Sequence, residues 1–231
     1  MIGDAPHMSA QPPALPADPT LDEIRAALAP RVAAHASFDG WNAVALARAA
    51  GELGVDADIA RLAFPGGGVE MIDAWFAAID RAMEMALPPE KLGAMKVREK
   101  ITALVLARID AATPHREALR RALAILAMPQ NAATALRLGW RAADHMWRLA
   151  GDTATDYNHY SKRAILSGVY GATLMVFLND ESAGLAETRG FLSRRIDGVM
   201  RFEKTKAQFL ARRERMPSLS RFIGRLRYPA L

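Results

Sequence analysis

The 231-residue chain contains no cysteine and no uncharged run longer than sixteen residues. The absence of cysteine excludes disulfide bonds, a thiol nucleophile and thiolate metal sites. The longest uncharged run, residues 164–179, is shorter than the roughly 18 to 20 apolar residues that a helix needs to cross a bilayer. Its composition, which includes Ser167, Gly168, Gly171 and Thr173, predicts a core helix that is buried on all sides.

Lysine and arginine are missing from residues 1–19, which are rich in proline and small residues. A secretory signal needs a basic start and an apolar run, and a mitochondrial presequence is rich in arginine. We therefore expect this segment to be disordered. We also expect the protein to stay where it is made, in the cytoplasm and peripheral on the inner membrane of a bacterium.

Motifs of catalysis and metal binding are missing as well. A diiron bundle needs Glu-x-x-His motifs on two helices, and none of the five histidines belongs to such a motif. Asp156 and His159 have the same spacing with Asp in place of Glu, but this pattern occurs only once outside residues 1–19. There is no HExxH, GxSxG or Walker motif. We therefore expect no metal, no cofactor and no catalytic residue, and so a protein that is not an enzyme.

The net charge of the protein is +5, and the charged residues are unevenly distributed along the chain. Residues 37–87 carry eight acids and three bases, whereas residues 189–231 carry twelve bases and three acids. A basic C-terminal part predicts a polyanionic partner, either nucleic acid or an acidic membrane surface.

Apolar residues recur at helical spacing along most of the chain. Two capping-box spacings, Thr20 with Glu23 and Thr153 with Asp156, mark helix starts. The sequence therefore predicts an all-α bundle of about nine helices and a tail. The predicted helices are residues 20–35, 41–53, 56–64, 68–87, 90–112, 115–128, 131–150, 153–179 and 184–213.

The order of the helices in residues 20–87, with LARAAGELGVDADIARLAF around the turn, resembles the N-terminal helix-turn-helix of the TetR repressors. A DNA-reading helix needs Lys, Arg, Gln or Asn. The candidate, ADIARLAF, has one Arg and one Asp and lies in the acidic region, so phosphate would repel it. The resemblance implies a TetR-like fold with a degenerate helix-turn-helix, and we expect no binding of nucleic acid.

The C-terminal residues after Pro217 combine an apolar helix face with cations. A short cationic amphipathic helix is typical of a segment that lies in a bilayer interface, although such helices more often pack on their own protein or a partner subunit. The predicted membrane-binding residues are Leu219, Arg221, Phe222, Ile223, Arg225, Leu226 and Arg227.

Apolar residues also concentrate on the two helices that flank Gly151 and Asp152. They are Trp140, Met146, Trp147, Leu166, Tyr170, Leu174, Met175 and Phe177. Their spacing favours ordinary core packing. The alternative is an apolar cavity for an acyl or isoprenoid chain, with Arg163 at its mouth to meet a polar head.

One stretch of the sequence resembles the ubiquinone-biosynthesis accessory family, the ninth protein of the Coq series: AGDTATDYNHYSKRAILSGVYGATLMVFLND. The match extends from about Met128 to Phe202. The resemblance implies a homodimer that binds isoprenoid quinone intermediates or phospholipid and presents them to a membrane-bound diiron demethoxyubiquinone hydroxylase. It also implies a C-terminal membrane-binding helix. Arg163 matches the family arginine that contacts lipid head groups. The resemblance therefore favours a lipid cavity over ordinary core packing. The residues expected to line this cavity are Met146, Trp147, Leu166, Tyr170, Leu174 and Phe177.

The same resemblance implies a surface for the hydroxylase. Its residues are Met128, Pro129, Asp156, Tyr157, Asn158, His159 and Tyr160. Two of them depart from the family pattern DFNWY, since Tyr157 replaces Phe and His159 replaces an exposed Trp. A histidine buries less apolar area than a tryptophan, so the contact with the partner is expected to be weaker or differently shaped.

These observations predict a non-enzymatic lipid-binding accessory protein of ubiquinone biosynthesis. The predicted divisions are a disordered segment at 1–19, a helix-turn-helix-like domain at 20–87, a lipid-binding domain at 88–213 and a membrane-binding tail at 214–231. The alternatives are a TetR-type DNA-binding regulator that senses a hydrophobic ligand, and a helical enzyme of unknown chemistry.

Overall fold

The computed structural model describes residues 15–153 and 157–215, and every regular element in these ranges is a helix. The all-α prediction is therefore confirmed. The ten α-helices are α1 (Leu21–Asp39), α2 (Ala43–Leu53), α3 (Ala57–Ala63), α4 (Gly68–Ala86), α5 (Pro89–Gly93), α6 (Val97–Ala112), α7 (Arg116–Leu126), α8 (Ala132–Leu149), α9 (Tyr157–Phe177) and α10 (Ala186–Arg215).

One predicted helix, residues 90–112, is divided into α5 and α6. The chain extends at Lys96, where φ is −69° and ψ is 155°, and α6 begins at the next residue. The Glu99 carboxylate accepts a hydrogen bond from the Lys96 backbone N–H at 2.8 Å, which satisfies one of the free amides at the start of a helix. This local cap was overlooked in the sequence, and it explains the additional helix.

The predicted helix-turn-helix is formed by α1, α2 and α3. Thr20 and Glu23 form the predicted capping box of α1. Asn42 caps α2, Gly54 ends it in the left-handed conformation with φ 65°, and Asp56 caps α3 as predicted. Each of these caps depends only on residues within a few positions of the helix end, so the ends of α1, α2 and α3 are fixed locally.

Trp41 and Gly68 hold this N-terminal unit against the rest of the bundle. The indole of Trp41 donates a hydrogen bond to the Ala118 carbonyl of α7 at 2.9 Å, and its ring lies 5.4 Å from that of Trp75 in α4. A Cβ at Gly68 would lie 2.4 Å from the Trp41 carbonyl oxygen, so only glycine permits this approach. One buried core therefore runs from Ile24 in α1 to Ile196 in α10.

Helices α8 and α9 pack against each other in antiparallel directions. A Cβ at Gly139 would lie 2.7 Å from Ser167 Oγ, and near the other end Trp147 donates to the Lys162 carbonyl at 3.1 Å. The prediction that residues 164–179 are buried on all sides is wrong. One face of α9 is exposed, because no other described helix covers the stripe Tyr160, Ala164, Gly168, Gly171 and Met175.

Asp180 organises the turn from α9 to α10. Its buried carboxylate accepts hydrogen bonds from the backbone N–H groups and hydroxyls of Ser182 and Thr188. Burial by itself would raise the pKa of Asp180, but these four hydrogen bonds outweigh it and hold the pKa well below the ordinary value. No helix in the described ranges is long and apolar enough to cross a membrane.

Candidate functional site at the corner between the eighth and ninth helices

Arg163 lies beneath the corner that joins α8 to α9. Its guanidinium makes an ion pair with Asp144 at 2.6 Å and with Asp152 at 3.1 Å, and it donates to the His159 carbonyl at 3.1 Å. Only 2% of the side chain is exposed. Arg163 therefore does not lie at the mouth of a cavity, in contrast to the sequence-based expectation, and two carboxylates already neutralise its charge. Its contact with lipid stays a prediction.

Asp152 is the second carboxylate of this cluster and also pairs with Lys162 Nζ at 2.7 Å. Burial by itself would raise the pKa of Asp152. Hydrogen bonds from Lys162 and Arg163 outweigh that effect and lower the pKa below the ordinary value. The corner is therefore held in its ionised form near neutral pH. Gly151, with φ 89°, makes the left-handed turn that was expected at the end of the helix.

Most residues predicted to line a lipid cavity are packed in the core. Met146 and Phe177 are fully buried, and Leu166, Tyr170 and Leu174 are nearly so. Trp147 is half-buried beneath Lys162, whose Nζ lies 5.3 Å from the indole centre. This arrangement corresponds to ordinary core packing, the alternative that the spacing itself favoured.

Two of the open grooves in the described part of the chain have the volume of a ligand site, and neither of these two is lined by a residue of α9. The first is about 460 Å³, and the second is about 600 Å³. The first is lined by Glu84, Leu87, Pro89, Leu92, Gly93, Lys100, Arg148 and Leu149. The second is lined by Met95, Arg98, Glu99, Thr102, Ala103, Leu106 and Ser193.

The predicted partner-binding residues lie in two places. Met128 and Pro129 precede α8 and are exposed, whereas Tyr160 at the start of α9 is 62% exposed and stacks on Trp140 at 6.0 Å. Trp140 lies eleven residues after Pro129, which corresponds to roughly 16 Å along a helix at 1.5 Å per residue. His159 packs edge-on against Tyr160 at 5.2 Å. Asp156 lies outside the described residues, and Tyr157 and Asn158 form the first turn of α9.

Leu136 is an exposed apolar residue that sequence reasoning missed. It is 76% exposed and lies one helical turn before Trp140, between the two predicted places. Residues four apart share one helix face, so the spacing to Trp140 was a usable signal. With Leu136 included, Leu136, Trp140 and Tyr160 form one apolar line, which we call the α8 flank.

A chain of polar side chains crosses the core beside the first groove. His145 Nε2 lies 2.5 Å from Glu84 and its Nδ1 lies 3.5 Å from Asp80, which pairs in turn with buried Arg108. The Arg108 guanidinium lies 5.1 Å from the ring of Tyr170 in α9. The two histidine nitrogens face different carboxylates, which is not the geometry of a shared metal ion. No cluster of three or more metal-ligating side chains occurs among the described residues.

The exposed face of α3 is poor in cations. Ile59 and Leu62 are exposed there, and the single arginine, Arg61, pairs with Asp58. This is the degenerate recognition helix that the sequence predicted. The tail residues 219–227 lie outside the described residues, so the membrane-binding prediction is not addressed by the fold.

Residues 132–203, from α8 into α10, match the COQ9 family model. The ubiquinone biosynthesis protein COQ9, mitochondrial, of Rattus norvegicus is 34% identical over 176 residues, covering 73% of this chain and 56% of the relative. The corresponding Homo sapiens protein is 32% identical, with 73% and 55% coverage. The Drosophila melanogaster protein is 28% identical, with 81% and 59% coverage. The chain thus spans a little more than half the length of these relatives.

A solved structure with a similar fold is the TetR transcriptional regulator from Nitrosomonas europaea ATCC 19718, with a TM-score of 0.61 and 24% identity. The alignment covers 75% of this chain and 96% of the regulator. The predicted TetR-like fold is therefore confirmed. The predicted bacterial cytoplasmic location at the inner membrane is contradicted, because the named relatives are mitochondrial proteins of eukaryotes.

Proposed function

The chain belongs to the COQ9 family, as residues 132–203 and its curated relatives show, and from this premise we propose that it is a non-catalytic, lipid-binding accessory protein of ubiquinone biosynthesis. It binds an isoprenoid quinone precursor or a phospholipid at a membrane and presents the precursor to a diiron demethoxyubiquinone hydroxylase. The observation that supports this most directly is the overlap of the family match with α8, the corner and α9. The exposed apolar line of the α8 flank lies within this region.

The hydroxylase docks on the α8 flank in this proposal. Leu136 and Tyr160 are both more than half exposed, and Trp140 connects them. Large apolar side chains held in place by neighbours are the usual anchors of a protein interface. The ion pairs of Arg163 keep the start of α9 fixed against α8, which presents Tyr160 at a defined angle.

The exposed face of α9 is the contact with a second copy of the chain. Gly168 and Gly171 lie mid-helix, and a Cβ at either would meet nothing within 4 Å. Mid-helix glycine costs about 1 kcal/mol relative to alanine, and packing within this subunit gives no reason for it. Ala164 and Met175 lie at the two ends of this contact, so a twofold antiparallel pairing would set each against the other, and Tyr160 stays outside it for the hydroxylase.

The basic tail supplies the membrane contact. Arginine near anionic lipid contributes about 1 kcal/mol each, so the triple change of Arg221, Arg225 and Arg227 to Glu is expected to abolish flotation of the protein with anionic vesicles. The matched control changes Arg48, Arg61 and Arg98, which are exposed on the described body. Unchanged flotation of the tail variant would remove the tail from the proposal.

A TetR-type regulator is the second candidate, and the fold of α1–α3 is the observation that favours it. The pairing of Arg61 with Asp58 and the exposed Ile59 and Leu62 argue against it, because such a face offers little to phosphate or base edges. A specific band in a gel shift with genomic fragments at low salt would favour the regulator.

Native mass spectrometry of the purified full chain, followed by lipid extraction, tests the proposed function. We expect a dimer that releases a prenylated or acylated lipid. A protein that carries no extractable lipid, and takes up none from vesicles that contain a prenylated quinone, would contradict lipid binding.

A further inference from the structure

The first groove lies where the end of α4, the short helix α5, the start of α6 and the end of α8 meet. Its volume of about 460 Å³ falls in the range of roughly 300–1,000 Å³ that is usual for small-molecule sites. The core beside α9 is filled by side chains, whereas this groove is open. It is therefore the better candidate for the place where a lipid chain lies.

The floor of the groove is apolar. Leu87, Pro89, Leu92 and Leu149 supply it from three different parts of the chain. Gly93 also lines the groove, and a Cβ added there would meet nothing within 4 Å. The three leucines therefore offer an apolar surface to a hydrocarbon chain.

Two cations lie at the rim. Lys100 Nζ donates a hydrogen bond to the Ala150 carbonyl at 3.3 Å, and it has no carboxylate partner among the residues that the structure describes. Arg148 pairs with Asp144 at 2.7 Å but is 66% exposed, so part of its guanidinium faces the groove and solvent. The one acid of the lining, Glu84, is already held by His145 at 2.5 Å. The rim therefore favours an anion.

We expect helix α5 to shift when a ligand enters. It has five residues, and Leu92 is the one that it buries. Pro88 precedes it and the extended Lys96 follows it, so the backbone hydrogen bonds of the neighbouring helices do not continue through it. Segments with few buried contacts open at a low free-energy cost.

We propose that this groove binds a single-chain amphiphile with an acidic head, a phosphate or a carboxylate. The chain lies on Leu87, Leu92 and Leu149, and the head is bound by Lys100 and Arg148. This inference rests on the proposed lipid-binding function and adds its site and the chemistry of its head group. Lys100 also contacts the last residue before Gly151, so the head group lies next to the corner that carries the partner surface.

Calorimetry with dodecyl phosphate, dodecyl maltoside and inorganic phosphate tests the head-group contact on the full chain. We expect one molecule of dodecyl phosphate per subunit, weaker binding of the maltoside and no measurable binding of phosphate alone. Lys100→Met removes the charge but keeps most of the stem, and it is expected to weaken dodecyl phosphate binding at least fivefold while maltoside binding is unchanged. Lys96→Met, one turn earlier and outside the lining, is the matched control.

Gly93→Leu tests the groove itself by filling it. Because Gly93 has open space and no positive φ, the variant should fold with an unchanged or higher melting temperature and lose at least tenfold in affinity for both amphiphiles. Gly51→Leu, at an equally open position of α2, should bind as the unaltered protein does. If Gly93→Leu and Lys100→Met both bind the amphiphiles as tightly as the unaltered protein does, the groove proposal is overturned.

If lipid still co-purifies with the protein in that case, the proposed function stands. If the unaltered protein binds no amphiphile at all, both the groove proposal and the proposed function are contradicted. Analysis of the co-purified lipid decides between phosphate and carboxylate heads.

Discussion

Arg163 Nε lies 2.6 Å from Asp144 Oδ1, although the two residues are nineteen positions apart in the chain. This pair joins α9 to α8, and Arg163 makes a second pair with Asp152 from the corner between them. A cation that is almost completely buried keeps its position only where its charge is compensated. Arg163 thus fastens the start of α9 to α8 and to the corner, together with the Lys162–Asp152 pair.

Arg163→Met is expected to lower the free energy of unfolding by about 3 kcal/mol, because Asp144 and Asp152 lose their shared buried cation and keep only the more exposed partners Arg148 and Lys162. Arg148→Met removes the exposed partner of the same Asp144 and should cost less than about 1 kcal/mol. Urea unfolding followed by circular dichroism measures both. Equal small losses would show that the buried pairs add nothing to stability.

Acid should destabilise the protein through Asp180. The folded pKa of this carboxyl is lower than its unfolded value, because hydrogen bonds from Ser182 and Thr188 outweigh the effect of burial. The stabilisation is therefore complete above the unfolded pKa of about 3.9 and is lost as pH falls from there towards the folded pKa. Asp180→Asn should lower the melting temperature at pH 7 and flatten its decline between about pH 4 and pH 2.

The exposed Asp58→Asn is the control for that experiment, since Asp58 lies on the surface of α3. Its pH profile should follow that of the unaltered protein. A profile of Asp180→Asn as steep as that of the unaltered protein would show that the acid sensitivity arises elsewhere.

Gly168→Glu should convert the proposed dimer to a monomer. The new carboxylate would lie in the middle of the uncharged face of α9 and, in the twofold contact, close to its own copy, where like charges repel. Analytical ultracentrifugation measures the change, with Gly51→Glu on α2 as the control at another open position. A Gly168→Glu protein that remains dimeric would place the contact between copies on another surface.

Tyr160→Ala and Leu136→Ala should each weaken recovery of the diiron hydroxylase in a pull-down without unfolding the protein. Both side chains are more than half exposed, and truncating an interface anchor typically costs about 2 kcal/mol or more. Met85→Ala is the matched control, because Met85 is 78% exposed and belongs to α4, outside the α8 flank. If the hydroxylase is recovered equally with all three variants, it does not bind the α8 flank.

Helix ends show how far sequence reasoning reaches. The boxes and caps at Thr20, Asp56 and Gly151 were predictable because each depends on residues within a few positions. The cap at Lys96 and Glu99 uses the same local rule and was overlooked, which merged two helices into one. The exposed face of α9 was misjudged for a different reason, since an uncharged helix has the same composition whether a neighbour or solvent lies beside it.

The sequence by itself determined the helical class, most helix boundaries, the degenerate recognition helix and the family resemblance, because these depend on local spacing and residue type. Only the tertiary structure decided that Arg163 is buried between two carboxylates and that the core beside α9 is filled. It also showed that the open groove lies between α4, α5, α6 and α8. These features depend on where helices cross, and that is set by the packing of residues far apart in the chain, which no local pattern contains.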